Sequence, residues 1–226
     1  MPVRYQPRFV LPAVSAIVAI TLVLAIVLGN GHGGSSGSPT TNPSGDFDGA
    51  AFPPGVRAHD FTLTNQRGKR VSLSAYRGKV VVLAFLFSRC RTCVLVADQV
   101  RGALDELESV PGASGQGGHT KGGYTKDVST LFVSTDPRTD TRTSVNRFLE
   151  GLSLGGRVEY LTGSQKELEP VWKAYSIPPV SAGKSASEEG STVLLIDRDG
   201  VERVGYGLEQ ITPESLAHDI RLLASG

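Results

Sequence analysis

The distribution of apolar residues divides this chain into three stretches. Phe9 to Leu28 is an uncharged, almost wholly apolar run, long enough for one helix to cross the hydrocarbon core of a bilayer. Gly29 to Pro54 is dominated by Gly, Ser, Thr, Asn and Pro, with hardly an apolar residue before Ala50. Such a stretch buries too little surface to offset its ordering entropy and reads as a flexible linker. From Gly55 to Gly226 the apolar positions recur with the periods of strands and helices, which predicts a single folded domain over 55–226.

Within that domain, Phe61 to Leu63 and Val71 to Leu73 flank the turn Gln66-Arg67-Gly68 and predict an opening hairpin. Val80 to Phe87 is a continuous apolar strand of the kind buried on both faces of a sheet. Val96, Ala97, Val100, Leu104 and Leu107 then recur at helical spacing. Gly112 to Gly123 is a Gly-rich loop, Val128 to Val133 the next strand, and Val145, Phe148 and Leu149 lie on one face of a following helix. Ser164 and Glu167 form a capping-box pattern ahead of Leu168, Val171, Trp172 and Tyr175. Val193 to Ile196, Arg198-Asp199-Gly200 and Val201 to Tyr206 predict a second hairpin. Thr212 caps a last helix that opens on Pro213 and turns Leu216, Ile220 and Leu223 inward. Strands interleaved with helices predict an α/β domain, a central mixed sheet with helices on both faces.

The chain has two cysteines, Cys90 and Cys93, and they follow the buried strand directly. A C-x-x-C pair where a strand gives way to a helix N-terminus, within such a sheet, is the thioredoxin-like arrangement. It closes a small disulfide and favours a thiolate at one sulfur. A two-residue loop adds little as a covalent staple, and a chain of this size builds an ordinary core without one. Structural zinc needs four ligands, and His32, His59, His119 and His218 are scattered without ligand spacing.

Charge adds a constraint. The formal net charge is +1, and no basic stripe interleaved with aromatics appears, so nothing points to nucleic acid. Arg4 and Arg8 precede the apolar run. The positive-inside rule therefore leaves residues 1–8 in the cytoplasm, makes 9–28 an uncleaved signal anchor, and places the rest outside the cell membrane. The run is longer than a usual signal peptide, and Ala25 to Gly29 makes a poor cleavage site.

Four stretches carry a family resemblance: DFTLTNQRGKRVSLSAYRGKVVVLAF from Asp60 to Phe85, FVSTDPRTDT from Phe132 to Thr141, LTGSQKELEPVWKAY from Leu161 to Tyr175, and VLLIDRDG from Val193 to Gly200. Together they resemble the Sco (SenC-type) proteins over essentially the whole domain. The resemblance implies a membrane-anchored, thioredoxin-fold copper and thiol-redox factor that helps build the copper centre of cytochrome oxidase. Two departures stand out. Sco proteins typically carry three residues between their cysteines, whereas CRTCVLVADQV has two between Cys90 and Cys93. They also carry a copper-ligand histidine shortly before the Leu-Ile-Asp strand, and Ala182 to Val193 holds none, with Glu189 or Gly190 about where it would fall.

Two thiolates still suit Cu(I), a soft ion, but the imidazole that favours Cu(II) is missing. Dithiol–disulfide exchange needs no cofactor and becomes the leading reading. Cys90 attacks a partner disulfide and Cys93 resolves the mixed disulfide, with Arg89 and Arg91 adding positive charge beside the helix end. A Cu(I) metallochaperone using Cys90 and Cys93 as ligands is the second reading, and a redox-inert interaction domain the third. The expected partners are protein thiols or disulfides, with the resemblance adding a cytochrome oxidase copper subunit. Leu86, Phe87, Ser88 and Arg89 do not reproduce the Pro and Thr or Ser that peroxiredoxins set ahead of their cysteine. Ser191 and Thr192 stand where many thioredoxin-type enzymes place a proline. Asp136, Asp140 and Asp197 are read as turn and cap residues, and Trp172 and Tyr175 as core.

Overall fold

The computed structural model describes residues 47–109, 126–178 and 192–226. Eight strands form one sheet: β1 (Ala50–Ala51), β2 (Thr62–Asn65), β3 (Arg70–Ser72), β4 (Val80–Leu86), β5 (Val128–Ser134), β6 (Val158–Thr162), β7 (Val193–Ile196) and β8 (Glu202–Tyr206). The helices are α1 (Arg91–Ser109), α2 (Arg142–Gly151), α3 (Gln165–Ala174) and α4 (Pro213–Ser225). Across the sheet the order is β1-β8-β7-β4-β5-β6-β2-β3. β4, β5 and β6 run parallel, with Val80 opposite Val128 and Leu86 opposite Ser134, and the remaining pairs are antiparallel. The mixed sheet expected from the alternation of elements is therefore present.

β4 is the central strand, and its alternation explains the two cores. Val80, Val82, Ala84 and Leu86 point into a cluster with α1, α2 and α4, through Val96, Val100, Val145, Phe148, Leu216 and Ile220. Val81, Leu83 and Phe85 point the other way, toward Leu63, Leu73, Leu168, Val171 and Trp172 of the β2–β3 side and α3. Every residue of β4 is buried, as a strand covered on both faces requires.

Local chemistry sets the element ends where the sequence placed them. Ser164 and Glu167 make a full capping box on α3, and Thr212 caps α4 with Pro213 in its first turn. Gly68 and Gly200 close the two hairpins at φ 85° and 76°, in the left-handed region that a β-carbon disfavours. Leu73, read as the end of the hairpin strand, instead opens a 3₁₀ turn, Leu73–Tyr76.

The domain also begins earlier than Gly55. β1 pairs Ala50 with Gly205 and Ala51 with Val204. The Asp48 and Gly49 N–H groups donate to the buried Asp219 carboxylate at 2.9 and 3.0 Å. Residues 47–54 were read as linker because their composition is polar and small, yet backbone N–H groups and a two-residue ladder attach them, and neither leaves a mark in composition. The anchor over 9–28, the cytoplasmic 1–8 and linker residues 29–46 lie outside the described residues. Among the described residues, no helix is long and apolar enough to cross a membrane.

Candidate redox site

β4 ends at Leu86, and the chain turns at once into α1 through Phe87, Ser88, Arg89 and Cys90. The Cys90 N–H donates to the Phe87 carbonyl at 3.2 Å, closing this turn. Cys90 stands immediately before the first helical residue. Its carbonyl accepts the first helical bond, from Val94 N–H at 3.3 Å, and its sulfur accepts the Cys93 N–H at 3.0 Å. Cys90 thus fills the N-cap position with Sγ in the place a serine or aspartate oxygen usually takes.

Cys90 and Cys93 form a disulfide with Cα atoms 5.1 Å apart. Cys93 is 2% exposed and Cys90 7%, so both residues are buried and Cys90 is the less enclosed of the two. The Thr92 hydroxyl lies 3.0 Å from Cys90 Sγ. A disulfide sulfur carries no proton, so Thr92 is the donor. Two donors, the Cys93 amide and the Thr92 hydroxyl, are therefore aimed at Cys90 Sγ, a placement that favours negative charge on that atom. α1 has no acidic residue in its first turn, which leaves the partial positive charge of its N-terminus uncompensated.

The turn into the helix hangs from a buried carboxylate. Asp140, 4% exposed, accepts the Ser88 N–H at 2.8 Å, the Ser134 hydroxyl at 2.6 Å and the Tyr160 hydroxyl at 2.6 Å. Tyr160 also reaches the Leu86 carbonyl at 3.3 Å, and Trp172 Nε1 donates to the Ser134 carbonyl at 2.9 Å. The ends of β4 and β5, the middle of β6 and helix α3 are so joined directly behind the cysteine turn. Burial, and then the Asp140 charge, hold the Tyr160 phenol well above its usual ionisation range, so it stays a donor.

The cap reading of Asp140 is thereby corrected. Thr141, one residue later, caps α2, while Asp140 turns inward, where the Ser134 and Tyr160 hydroxyls donate to it. Asp136 keeps its turn role, accepting from Arg138 N–H and the Thr139 hydroxyl. Asp197 does the same for the Asp199 and Val201 N–H groups. Trp172 is core, and Tyr175 is partly buried against Phe61 and Phe85.

The sequence reading missed Thr92, Ser134 and Tyr160. The short run Val158, Tyr160 and Leu161, mostly apolar and bounded by Gly155-Gly156 and Gly163, was the available signal for β6, the strand that delivers the phenol.

The other candidate ligands lie elsewhere in the fold. His59 is exposed ahead of β2, and its carbonyl accepts the Tyr175 hydroxyl. His218 on α4 faces Asp48 and Asp219. Among the described residues, that trio is the one cluster of three or more potential metal ligands, and it contains neither cysteine. His32, His119, Glu189, Gly190 and Ser191 lie outside the described residues. Thr192 lies at the edge of β7, its carbonyl accepting the Phe85 N–H at 3.2 Å.

Comparison with known proteins places this geometry. Residues 53–225 match the model of the SCO1/SenC family. The mitochondrial human SCO1 homolog is 25% identical over 118 residues, which are 52% of this chain and 35% of the human protein; the present chain thus spans about a third of that relative. Among solved structures, copper-bound ScoI of Bradyrhizobium japonicum superposes with a TM-score of 0.55 at 24% identity, covering 74% of this chain and 99% of that one. BsSco, described as carrying a disulfide switch and as a member of the Sco family of cytochrome c oxidase assembly proteins, gives a TM-score of 0.59 at 23% identity, covering 76% and 96%.

Proposed function

This chain belongs to the SCO1/SenC family, and from that premise we propose that it is a thiol–disulfide exchange protein of the thioredoxin-like class. The proposal places it outside the cytoplasmic membrane on the anchor formed by residues 9–28, where it keeps the cysteines of a protein such as a cytochrome oxidase copper subunit in the required redox state. The observation that carries it is the capped disulfide: a Cys90–Cys93 bond whose sulfur at the N-cap already receives two hydrogen bonds suited to a thiolate. An oxidising compartment favours such a bond, which agrees with the expected topology.

The step follows from this arrangement. The Cys90 thiolate attacks one sulfur of the partner disulfide, forming a mixed disulfide and releasing the other partner sulfur as a thiolate. The Cys93 thiolate then attacks Cys90 Sγ, expels the remaining partner thiolate and closes the Cys90–Cys93 bond. Two electrons pass to the partner, and the reverse sequence oxidises it. The Cys93 N–H and Thr92 hydroxyl hold charge on Cys90 in the reduced state, while Asp140 fixes the turn from which Cys90 projects.

A second reading is favoured by likeness to a copper-bound relative and by the chemistry of two adjacent thiolates, which suit Cu(I). In that reading copper is the cargo, held by Cys90 and Cys93 after reduction. Against it, no histidine or carboxylate among the described residues joins the two sulfurs in a ligand cluster.

One experiment separates the two. The full-length reduced protein is offered Cu(I) against a competing chelator and, in parallel, a disulfide substrate, each with Cys90→Ser and Cys93→Ser. Turnover that needs both cysteines, with copper left on the chelator, is the expected result. One-to-one copper binding lost in either variant, without turnover, would replace exchange by metal delivery.

A further inference from the structure

The first turn of α1 presents a surface that the exchange step itself does not use. Val94 and Leu95 are 39% and 55% exposed, the large apolar side chains left in solvent among the described residues. Single exposed apolar residues are ordinary, but these two share a face with a cation. Residues i, i+3 and i+4 are neighbours on a helix, so Arg91, Val94 and Leu95 form one continuous patch, with Arg89 and the Cys90 sulfur at its upper edge.

Further along α1 the outward side chains change character. Asp98, Arg101 and Asp105 there are linked by ion pairs of 2.6 and 2.9 Å. Arg89 and Arg91 are exposed, and neither makes an ion pair among the described residues. The first turn also lacks any acidic residue. Two guanidiniums and the positive helix end therefore stand uncompensated beside the disulfide, bordered by an apolar pair.

We propose that this patch docks a protein segment that carries carboxylates and an apolar side chain next to its own reactive cysteines. The carboxylates meet Arg89 and Arg91, the apolar side chain covers Val94 and Leu95, and the partner's sulfur arrives over Cys90. Such an arrangement gives association rate and choice of partner, which is what complementary charge at an interface supplies. Two cations are few for an anionic lipid surface, where clusters of about four to eight are usual, and a lipid brings no disulfide to the sulfur at the patch edge. The inference rests on the exchange reading above.

The test uses the reduced full-length protein and three substrates: a disulfide peptide with Asp, Glu and Leu flanking its cysteines, the same peptide with Lys in place of the acids, and hydroxyethyl disulfide. Each turnover oxidises the Cys90 and Cys93 thiols to the disulfide and passes two electrons and two protons to the substrate, which becomes two thiols. At low salt the acidic peptide should exceed the basic one by about tenfold or more in the second-order rate constant for oxidation of the reduced protein, and the gap should narrow as salt screens the charges. In the double variant Arg91→Glu, Leu95→Ser, the ratio of the acidic-peptide rate to the hydroxyethyl disulfide rate should fall by about tenfold. Equal rates for the two peptides, or an unchanged ratio in the variant, would overturn the docking surface while leaving exchange intact. Inhibition of acidic-peptide turnover by phosphatidylserine vesicles, relieved in the double variant, would overturn it in favour of a lipid surface. Absence of turnover with hydroxyethyl disulfide would defeat the exchange reading and this inference with it.

Discussion

Replacing Thr92 by valine removes one hydroxyl from the redox site at nearly constant shape. The hydroxyl lies 3.0 Å from Cys90 Sγ and donates to a neutral sulfur in the disulfide but to a thiolate once the bond is reduced. A hydrogen bond to a charged group contributes about 1.5–3 kcal/mol, whereas a bond to a neutral disulfide sulfur is weak, so Thr92 stabilises the reduced form over the oxidised one. For a two-electron couple about 1.4 kcal/mol corresponds to 30 mV, so Thr92→Val should make the protein more reducing by roughly 30–65 mV where the thiolate is the populated reduced form. Thr92→Ser, which keeps the donor, should return most of that shift. The assay is equilibration in glutathione or dithiothreitol buffers of graded ratio, followed by alkylation of free thiols and counting by mass. The Cys93 N–H at 3.0 Å remains in both variants, so the effect is a shift of potential and not a loss of the couple. A Thr92→Val potential within about 10 mV of the native one would refute the argument that the hydroxyl favours the thiolate.

Asp140→Ala removes the acceptor of two buried hydroxyls and the partly buried Ser88 N–H, and of these three donors Tyr160 alone has an alternative, the Leu86 carbonyl at 3.3 Å. At ~1–3 kcal/mol for each stranded donor, two of them make a loss of roughly 2–6 kcal/mol in urea unfolding, and a change below about 1 kcal/mol would mean that water replaces the carboxylate. Tyr76 is pushed up to about 12 by burial and then by the Glu159 charge, and burial first also raises Tyr160, Tyr175 and Tyr206 above the phenol range. Because these folded-state values lie above that of the unfolded chain, their contribution is complete below about pH 10 and is lost as pH rises through the raised values. Absorbance titration should accordingly leave these four phenols protonated at pH 10.5, and an early alkaline rise abolished by Tyr76→Phe would contradict this. Gly200 sits at φ 76°, and a β-carbon there would meet the Arg77 guanidinium; Gly200→Ala should cost at least about 1–2 kcal/mol, read by thermal unfolding.

How far the sequence discloses this site depends on which forces build each part. The β4 strand, the α3 capping box and the Thr212-Pro213 helix start are written in apolar period and cap chemistry, and each appears where its residues stand. The Cys90–Cys93 pair is visible because its chemistry is local to four residues. Asp140 was not, since its partners come from Ser88, Ser134 and Tyr160, up to 52 residues away, and a carboxylate before a helix looks like a cap from sequence alone. Backbone attachment hid residues 47–51 in the same way: what holds them is Asp219, about 170 positions later.

The spacing of the two cysteines has a structural consequence of its own. With two residues between them, the cysteines occupy the N-cap and the third helical position, and the amide of the second reaches the sulfur of the first. Their Cα separation of 5.1 Å falls within the range that a disulfide spans without moving the backbone. A third intervening residue would carry the second sulfur about 100° around the helix and 1.5 Å along it. Cys93 would then leave the N3 position, and the amide donated to Cys90 would belong to a residue without a sulfur. Spacing by two therefore unites cap, donor and resolving thiol in one turn of helix. Closing and opening a disulfide uses all three at once. A hydrogen bond to a thiolate also tunes a metal-bound sulfur, so the amide alone does not choose between the two proposed readings; what this spacing adds for exchange is a resolving thiol held one turn from the sulfur it must attack, and competition for Cu(I) beside disulfide turnover tells which use the turn is put to.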